Sequence, residues 1–309
     1  MRELFDKVLG AYLGLAIGDA LGATVEFMRP REIEARYGVH TEIVGGGWLK
    51  LARGQVTDDT TLSLALGSAL LQGGATALQG FAATQPDTTL MRGIGQAFVQ
   101  WLQARPVDCG NTCRRGIQRF LLDGSLAGPY NPGDAGNGAL MRNLPVVLAT
   151  LHDEAAFERL SLAQAHLTHH HPLSDAATLG LGRLLRLLLR GAGQAECQRW
   201  AETWTTEHPA FGFTPYRGRA TAYVVDTVQT VLHFLTRHDD FEAALVATVN
   251  QGDDADTTGA LVGMLAGARC GAGRLPQRWL HRLQPTTVQA ITDQTSGLLA
   301  LASCLEAHP

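Results

Sequence analysis

The sequence predicts a single all-helical domain over residues 1–309. Apolar side chains recur at helical spacing in most segments, as at Leu4, Val8, Leu9 and Tyr12 near the N-terminus. No convincing alternating run of β-branched residues, which would indicate a strand, is present. Hydrophobic residues make up 45% of the chain and charged residues 17%, so one large core can form.

Composition also excludes several classes of protein. The formal net charge is -4, the pI is about 6.2 and there is no basic block, so we expect no nucleic-acid partner. The five cysteines are scattered, and Cys109 and Cys113 have no second pair to complete a zinc site. The N-terminus is charged and lacks the apolar run of a signal peptide. No uninterrupted apolar stretch spans a bilayer, so we predict a cytoplasmic protein with reduced thiols.

Periodicity and capping residues predict the helices in order. Residues 23–56 look irregular, and residues 73–89 are predicted to be a loop rich in Gly, Ala, Thr and Gln. The predicted helices are 3–22, 57–71, 90–104, 112–122, one that follows Gly138 and ends near 151, 154–167, 174–190, 194–207, 220–237, 240–250, one that ends near 270, and 286–305.

Two of these helices carry glycine at every fourth position. The stripes are Gly10, Gly14, Gly18 and Gly22, and Gly259, Gly263, Gly267 and Gly271. Each glycine costs roughly 1 kcal/mol in a helix interior, so the stripes need a reason. We predict that the two helices pack against each other, or against a common neighbour, at short distance.

Two acidic clusters each precede an apolar helix. One is Thr57-Asp58-Asp59-Thr60, and the other lies within Asn250–Gly259. Capping explains one acid at a helix start, but not two or three. Carboxylate and hydroxyl oxygens suit Mg²⁺ or Mn²⁺, and two ions would balance Asp58, Asp59, Asp254 and Asp256. The alternative, capping without metal, leaves buried like charges at a cost of several kcal/mol each.

Other segments allow two interpretations. Gly45-Gly46-Gly47-Trp48 is a phosphate-binding loop or a plain surface turn. Asp108 is a turn former or a site residue, and Asp108 and Glu26 are acids without an evident partner, hence candidates for acid–base catalysis. Gly136-Asn137-Gly138, with Arg142 one turn on, is a pyrophosphate site at a helix start or a hairpin. Three adjacent histidines, 169–171, point in different directions, so one or two contacts are expected rather than a three-histidine metal site.

Taken together, these motifs resemble one family over nearly the whole chain. They are Gly14–Phe27, Gly45–Trp48, Thr57–Thr60, Asp108–Thr112, Asp134–Ala139, the histidine run, and Asp254–Thr257. Any one alone is weak, but the set is specific, and it is similar to the ADP-ribosylglycohydrolase family. One departure is Thr61, where the family pattern leads us to expect Glu.

The resemblance implies an all-helical, orthogonally packed bundle around a dinuclear Mg²⁺ or Mn²⁺ centre. It places the metal ligands at Thr57, Asp58, Asp59, Asp254, Asp256 and Thr257. It implies catalytic roles for Asp108, Glu26 and Asp59. It places contacts to ADP-ribose at Gly110, Asn111, Asp134, Gly136, Asn137, Gly138, Met141, Arg142, His169, His171 and Tyr223.

The activity that the resemblance implies is cleavage of the N-glycosidic bond between ADP-ribose and an arginine side chain. The implied substrate is ADP-ribosylated dinitrogenase reductase, the iron protein of nitrogenase. The resemblance also implies regulation by a PII signalling protein and reversible recruitment to the membrane through the ammonium channel. The alternatives are hydrolysis of O-acetyl-ADP-ribose, serine-linked ADP-ribose or a phosphate ester, and a non-catalytic ADP-ribose-binding protein.

Overall fold

The computed structural model describes residues 2–82 and 88–306. These ranges contain fourteen α-helices and no β-strand, which confirms the all-helical prediction. Gly46 and Leu51 form an isolated antiparallel bridge. The first seven helices are α1 (Arg2–Gly22), α2 (Pro30–Tyr37), α3 (Asp58–Ala82), α4 (Thr89–Gln103), α5 (Asn111–Asp123), α6 (Leu144–Ala149) and α7 (Glu154–His166). The others are α8 (Pro172–Leu189), α9 (Gln194–Glu207), α10 (Val224–Arg237), α11 (Phe241–Val249), α12 (Ala255–Cys270), α13 (Gln277–Leu280) and α14 (Pro285–Glu306).

Helix α2 lies in the segment that the sequence predicts to be irregular, so that prediction is wrong. Pro30 occupies the first helical position, where its missing N–H is not needed and its φ suits a helix. The Glu32 carboxylate accepts a hydrogen bond from the Arg29 backbone N–H at 2.7 Å. Pro30 therefore begins this helix.

Helix α3 continues past its predicted end at residue 71. Gly74 leaves helical geometry, with φ 70 and ψ -178, but the helix resumes after it and ends at Ala82. The prediction of a loop is wrong up to that point, and residues 83–87 lie outside the described residues. Because of the extension, Asp58–Phe81 is the one described helix that is long and apolar enough to cross a membrane by length and composition.

The chain divides into two compact units. Unit 1 consists of Met1–Thr60 and Arg183–Ile291, and unit 2 of Thr61–Gly182 and Thr292–Pro309. The single domain that the sequence predicts over 1–309 stays a prediction.

The centre of unit 1 is the pairing of α1 with α12, which confirms that the glycine-striped helices pack together. A Cβ added to Gly14 would lie 2.1 Å from the Gly263 carbonyl oxygen, and one on Gly18 would lie 2.0 Å from that of Gly259. The contacts run in opposite directions along the two helices, because Gly10 faces Gly267 and Gly22 faces Ala255. The helices are therefore antiparallel and touch backbone to backbone.

Unit 2 is built from helices that meet through larger side chains. Helix α4 approaches α5 at Gly95, where an added Cβ would lie 2.5 Å from the Phe120 ring. The Gln294 side-chain amide of α14 donates to the Leu64 carbonyl at 2.7 Å and to Ser68 Oγ at 2.9 Å, which ties α14 to α3.

Candidate active site

The antiparallel pairing of α1 and α12 brings the last turn of α1 to the start of α12. A Cβ added to Gly22 would lie 2.1 Å from the Ala255 carbonyl oxygen. The acidic segment 254–257 thus lies deep in unit 1, and Asp254, Asp256 and Thr257 are all buried. Close helix packing is what places these carboxylates away from water.

Asp19 of α1 contacts the other acidic cluster, Thr57–Thr60. Its fully buried carboxylate accepts hydrogen bonds from the backbone N–H of Thr57 at 2.9 and 3.1 Å and from that of Thr60 at 3.1 Å. It also accepts one from the Thr60 hydroxyl at 2.5 Å. Burial raises the pKa of Asp19 to about 6, and these hydrogen bonds oppose the rise. Asp19 therefore caps the start of α3 from another helix, a role that the sequence analysis missed.

The two clusters meet through hydroxyl and carboxylate oxygens. The Thr57 hydroxyl lies 3.4 Å from Asp59 Oδ2 and 3.3 Å from Asp256 Oδ2. The Thr257 hydroxyl donates to Asp59 Oδ2 at 3.2 Å. Residues almost 200 positions apart in the chain thus share one buried group of oxygens, as the sequence predicts.

The carboxylates in this group repel one another. Burial raises the pKa of Asp59 well above its usual range, and the charges of Asp19, Asp58 and Asp254 raise it further. Burial likewise raises the pKa of Asp256, with repulsion from Glu26, Asp59, Asp254 and Asp19. Such a group is costly in its ionised form unless a cation lies in it.

The donor atoms fit a hard divalent cation. Asp59 Oδ1 is one of three buried side-chain polar atoms in the described residues that have no hydrogen-bond partner. Carboxylate and hydroxyl oxygens without sulfur are the ligands that Mg²⁺ and Mn²⁺ prefer. Thr57, Asp59, Asp256 and Thr257 share this group of oxygens, and metal-ligand roles for them and for Asp58 and Asp254 stay predictions.

Glu26 adds a further carboxylate beside this group. It is 5% exposed, and one of its oxygens lies within 4.8 Å of a carboxylate oxygen of Asp256. The Trp48 indole N–H donates to Glu26 Oε2 at 2.6 Å. The glycine-rich loop Gly45–Trp48 thus contributes a side chain to the site. The sequence alone allowed either a phosphate-binding loop or a surface turn at this place.

Asp108, the other candidate acid, lies in unit 2 just before α5. Its Oδ1 accepts a hydrogen bond from the Cys109 backbone N–H at 2.7 Å. Burial raises the pKa of Asp108, while that hydrogen bond and the charge of Arg114 lower it. Gly110 is the N-cap residue of α5 and Asn111 is its first residue, so the helix begins one residue before its predicted start at 112.

The Gly-Asn-Gly segment is followed by turns, and α6 begins only at Leu144. The prediction that a helix starts directly after Gly138 and runs to residue 151 is therefore wrong. The Met141 N–H donates to the Asn137 carbonyl at 3.0 Å, which closes one of these turns. A Cβ on Gly138 would lie 2.8 Å from Cys113 Sγ and 2.9 Å from the His169 ring, so only glycine fits there.

Arg142 lies inside unit 2 and is fully buried. Its Nε donates to Gln164 Oε1 at 2.8 Å, and its terminal nitrogens donate to the carbonyls of Gly138 and Gln164 and to Thr168 Oγ1 at 2.8–3.0 Å. Its guanidinium also lies 4.7 Å from the centre of the Phe98 ring. The Arg142 side chain thus holds the Gly138 carbonyl in place. A contact between Arg142 and phosphate stays a prediction.

The three histidines face different neighbours, in line with the expectation of no three-histidine metal site. His169 is buried, its Nδ1 lies 2.8 Å from Thr168 Oγ1, and burial with the charges of Arg142 and Arg115 lowers its pKa to about 3. His170 Nδ1 lies 2.5 Å from the Gly128 carbonyl. The His171 ring stacks on Tyr130 with 5.6 Å between centroids. His169 is therefore neutral at ordinary pH.

Two predicted contact residues remain. Asp134 is buried in unit 2 and forms an ion pair with Arg115. Tyr223 is the N-cap residue of α10 in unit 1 and is 44% exposed. Their roles in binding ADP-ribose stay predictions.

One protein family matches nearly the whole sequence. The model of the ADP-ribosylglycohydrolase family aligns with residues 1–306. The chain belongs to the ADP-ribosylglycohydrolase family. Members of this family depend on metal, and the buried acids of unit 1 are suited to binding it.

Relatives with assigned activities agree with this membership. The chain is 52% identical to the ADP-ribosyl-dinitrogen reductase glycohydrolase of Rhodospirillum rubrum, over 97% of this chain and 98% of that protein. It is 31% identical to the ADP-ribosylarginine hydrolase Tri1 of Pseudomonas putida, over 91% of this chain and 75% of that protein. A solved structure, described as an ADP-ribosylglycohydrolase-related protein complex, superposes with a TM-score of 0.81 at 32% identity, over 98% of this chain and all of that one.

Proposed function

We propose that this chain is an enzyme that removes ADP-ribose from an arginine side chain of dinitrogenase reductase and thereby restores its activity. The observation that carries the proposal is the 52% identity, over nearly the whole of both chains, with the Rhodospirillum rubrum glycohydrolase. The buried carboxylate–hydroxyl group of unit 1 supports it, because a glycosidic hydrolase of this kind needs positioned charge near the reacting sugar.

The reaction exchanges one bond for another. The bond between C1 of the ribose and the guanidinium nitrogen breaks, and the arginine leaves as a neutral guanidine. The oxygen of a water joins C1 while that water gives up one proton to a base, and the guanidine takes up one proton from an acid. Glu26 and Asp108 are the two candidates.

These two acids differ in how they are held. Burial raises the pKa of Asp108, which favours its protonated form and hence the role of acid. The Glu26 carboxylate accepts a hydrogen bond from Trp48, which fixes the direction of the carboxylate for the role of base. We assign the two roles in this way.

The cofactor is proposed to be two divalent ions, Mn²⁺ or Mg²⁺, held by Thr57, Asp58, Asp59, Asp254, Asp256 and Thr257. When bound, they supply positive charge that binds the ribose hydroxyls and stabilises the charge that develops in the reaction. Asp19 holds the Thr57–Thr60 turn, and Asp59 contributes to the reaction through the charge and direction of its carboxylate.

A panel of linkages tests the substrate assignment. Purified protein with Mn²⁺ is incubated with arginine-linked, serine-linked and O-acetyl-linked ADP-ribose, and released product is quantified. We expect the arginine linkage to be cleaved fastest, by at least about tenfold, since discrimination between leaving groups of different charge is worth more than 1.4 kcal/mol. Preference for another linkage would assign the enzyme to that substrate, and tight binding of ADP-ribose without any release would make it a binding protein.

The regulation and the cellular location of this protein can be proposed as well. We propose a cytoplasmic protein that a PII signalling protein binds and that the ammonium channel brings reversibly to the membrane, as the resemblance implies. Co-purification of the chain with PII and membrane fractions, before and after ammonium is added to cells, tests this. An unchanged distribution with no PII retained would contradict it and leave the catalytic assignment untouched.

A further inference from the structure

Two large aromatic side chains lie side by side on the surface of unit 1. Phe27 is 63% exposed and Trp48 is 51% exposed, and their ring centroids are 5.2 Å apart. Exposed apolar groups of this size, when they occur together, commonly mark a binding site.

The backbone holds Phe27 in an unfavourable conformation. Its φ is 61, in the left-handed region that an aromatic residue rarely adopts. The Phe27 N–H donates to the Asp253 carbonyl at 2.6 Å, and the Asp253 N–H donates to the Met28 carbonyl at 2.9 Å. The segment that carries the exposed ring is therefore tied to the turn directly before Asp254, and strain retained at such a point is a feature of functional sites.

Trp48 is held just as firmly. Gly46 and Leu51 exchange backbone hydrogen bonds of 2.8 and 2.9 Å, which closes the turn that carries Trp48. A Cβ on Gly47 would lie 2.4 Å from the Ala23 carbonyl, so glycine lets this turn sit against the chain just after α1. The triple glycine thus serves to place the indole.

The pair borders the acidic group of unit 1. The indole N–H donates to Glu26 at 2.6 Å, and Glu26 lies within 4.8 Å of Asp256. From the surface inward, the order is therefore the two exposed aromatic rings, the buried Glu26 carboxylate and the proposed metal ligands.

We propose that Phe27 and Trp48 form the subsite for the guanidinium of the modified arginine, and that Trp48 also positions Glu26. This rests on the proposed function and specifies its substrate class. A guanidinium stacks on aromatic faces and is attracted by their π-electrons, and nearby carboxylates add to that attraction. Adenine also stacks on aromatic faces, but the phosphates of ADP-ribose are repelled by Glu26 and Asp256, so the combination of rings and carboxylates favours a cation.

The test separates the guanidinium from the rest of the substrate. Steady-state kinetics on ADP-ribosylarginine and the Kd for ADP-ribose, the product without a guanidinium, are measured for Trp48→Leu, Trp48→Phe and Phe27→Leu. Trp48→Leu is expected to raise KM for ADP-ribosylarginine about five- to thirtyfold, the range of a cation–π contact, with the Kd for ADP-ribose within about twofold of wild type.

Trp48→Phe separates the two roles of the indole. It keeps an aromatic face but removes the N–H that holds Glu26, so kcat should fall while KM stays within about threefold of wild type. Phe27→Leu is expected to raise KM about threefold or more, and because this ring is largely exposed the variant should fold even if Trp48→Leu does not.

Three results would overturn the proposal: equal weakening of ADP-ribose and ADP-ribosylarginine, unchanged kinetics in all variants, or a Trp48→Phe variant as impaired in KM as Trp48→Leu. Failure of the proposed function looks different, since wild type would then bind Mn²⁺ and ADP-ribose but release nothing from ADP-ribosylarginine.

Discussion

Two buried aspartates at the centre of unit 1 differ in the hydrogen bonds that they accept. Both oxygens of Asp19 accept from backbone N–H groups. Asp59 Oδ1 accepts none, and its Oδ2 receives only long contacts, 3.4 and 3.2 Å, from the hydroxyls of Thr57 and Thr257. Asp19 is therefore satisfied by the protein and organises the site, whereas Asp59 keeps an oxygen that a bound cation would satisfy.

Substitution of Asp19 tests its organising role. In Asp19→Asn the amide nitrogen would face a donor of Thr57 or Thr60, so the turn that carries Asp58 and Asp59 should loosen. We expect Mn²⁺ affinity to fall about 10–100-fold, as for residues that orient metal ligands. Isothermal titration calorimetry measures this, with Glu3→Gln, an exposed position of the same helix, as the matched control. Unchanged affinity would show that Asp19 serves only the fold.

Arg142 offers a second test at this scale. Its guanidinium makes hydrogen bonds to Gln164, Gly138 and Thr168 in a fully buried position. Lysine lacks the planar fork that reaches these acceptors. Arg142→Lys should therefore destabilise unit 2 by about 3 kcal/mol, since several buried groups lose their partners. Urea denaturation measures this beside Arg92→Lys on the exposed side of α4, for which we expect a change within about 0.5 kcal/mol.

At the residue scale the sequence predicted the acidic residues but not the contacts that position them. Buried carboxylates in excess of capping needs stand out in an apolar chain, so Asp58, Asp59, Asp254 and Asp256 could be found. Asp19 could have been found by the same reasoning, because a lone acid in a glycine-striped apolar helix needs a partner. The contact between Trp48 and Glu26 depends on tertiary structure and left no local signal beyond the glycines.

Among the elements, the pairing of α1 with α12 determines where the site forms. Backbone-to-backbone contact leaves no space for side chains along the stripe, and it fixes the register of the two helices. The acidic segment at the start of α12 is thereby set beside the end of α1. An increase in the distance between the two helices should therefore lower the stability of the protein and weaken metal binding.

Gly14→Ala tests this pairing. The new methyl group would lie 2.1 Å from the Gly263 carbonyl oxygen, so the helices must separate. We expect a loss of about 3 kcal/mol in unfolding free energy, at the upper end of overpacking effects, and weaker Mn²⁺ binding. The control is Gly93→Ala on α4, where an added Cβ meets nothing within 4 Å and should stabilise by about 0.5–1 kcal/mol. Equal effects of the two substitutions would contradict the account.

Helix boundaries were predicted well where capping and periodicity agree, and poorly where proline or glycine allows two outcomes. Pro30 begins a helix rather than ending one, and Gly74 kinks α3 without ending it. Turns follow Gly138 where a helix was predicted, and there the Gly138 carbonyl accepts a hydrogen bond from the Arg142 guanidinium. At Pro30 local capping decides the outcome, whereas the Arg142 contact is one that propensity does not contain.

For the molecule as a whole, the sequence predicted the helical class and the meeting of the two acidic clusters. Both follow from patterns that extend over long stretches, namely helical periodicity, the two glycine stripes and the paired acids. The order of side chains from Trp48 through Glu26 to Asp256 does not follow from any such pattern. It requires the relative positions of two loops and of the first turn of α12.

The acid cluster should also make stability depend jointly on metal and pH. The pKa values of Asp59 and Asp256 are raised on folding, so without metal the contribution of these two groups to stability is complete below the ordinary aspartate pKa and is lost as pH rises above it. A bound divalent cation displaces those protons, so the gain in Tm from Mn²⁺ should grow as pH rises above about 4. At about one hundred times Kd the added stability should be roughly 2.7 kcal/mol.

Calorimetric scans with Mn²⁺ and with chelator measure this gain. Asp59→Asn is the informative variant, since without metal it should melt above wild type and with metal it should gain less. A gain that does not vary with pH would mean that these carboxylates are not the ligands.

The central claim is that the buried acids of unit 1 hold the metal with which this enzyme releases ADP-ribose from a modified arginine. The most direct measurement is release of ADP-ribose from arginine-modified dinitrogenase reductase by wild type and Asp59→Asn, with Mn²⁺ and with chelator. We predict release by wild type with Mn²⁺, none with chelator, recovery when Mn²⁺ is restored, and a loss of about 1,000-fold or more in Asp59→Asn. Undiminished release in chelator or by Asp59→Asn would contradict the account.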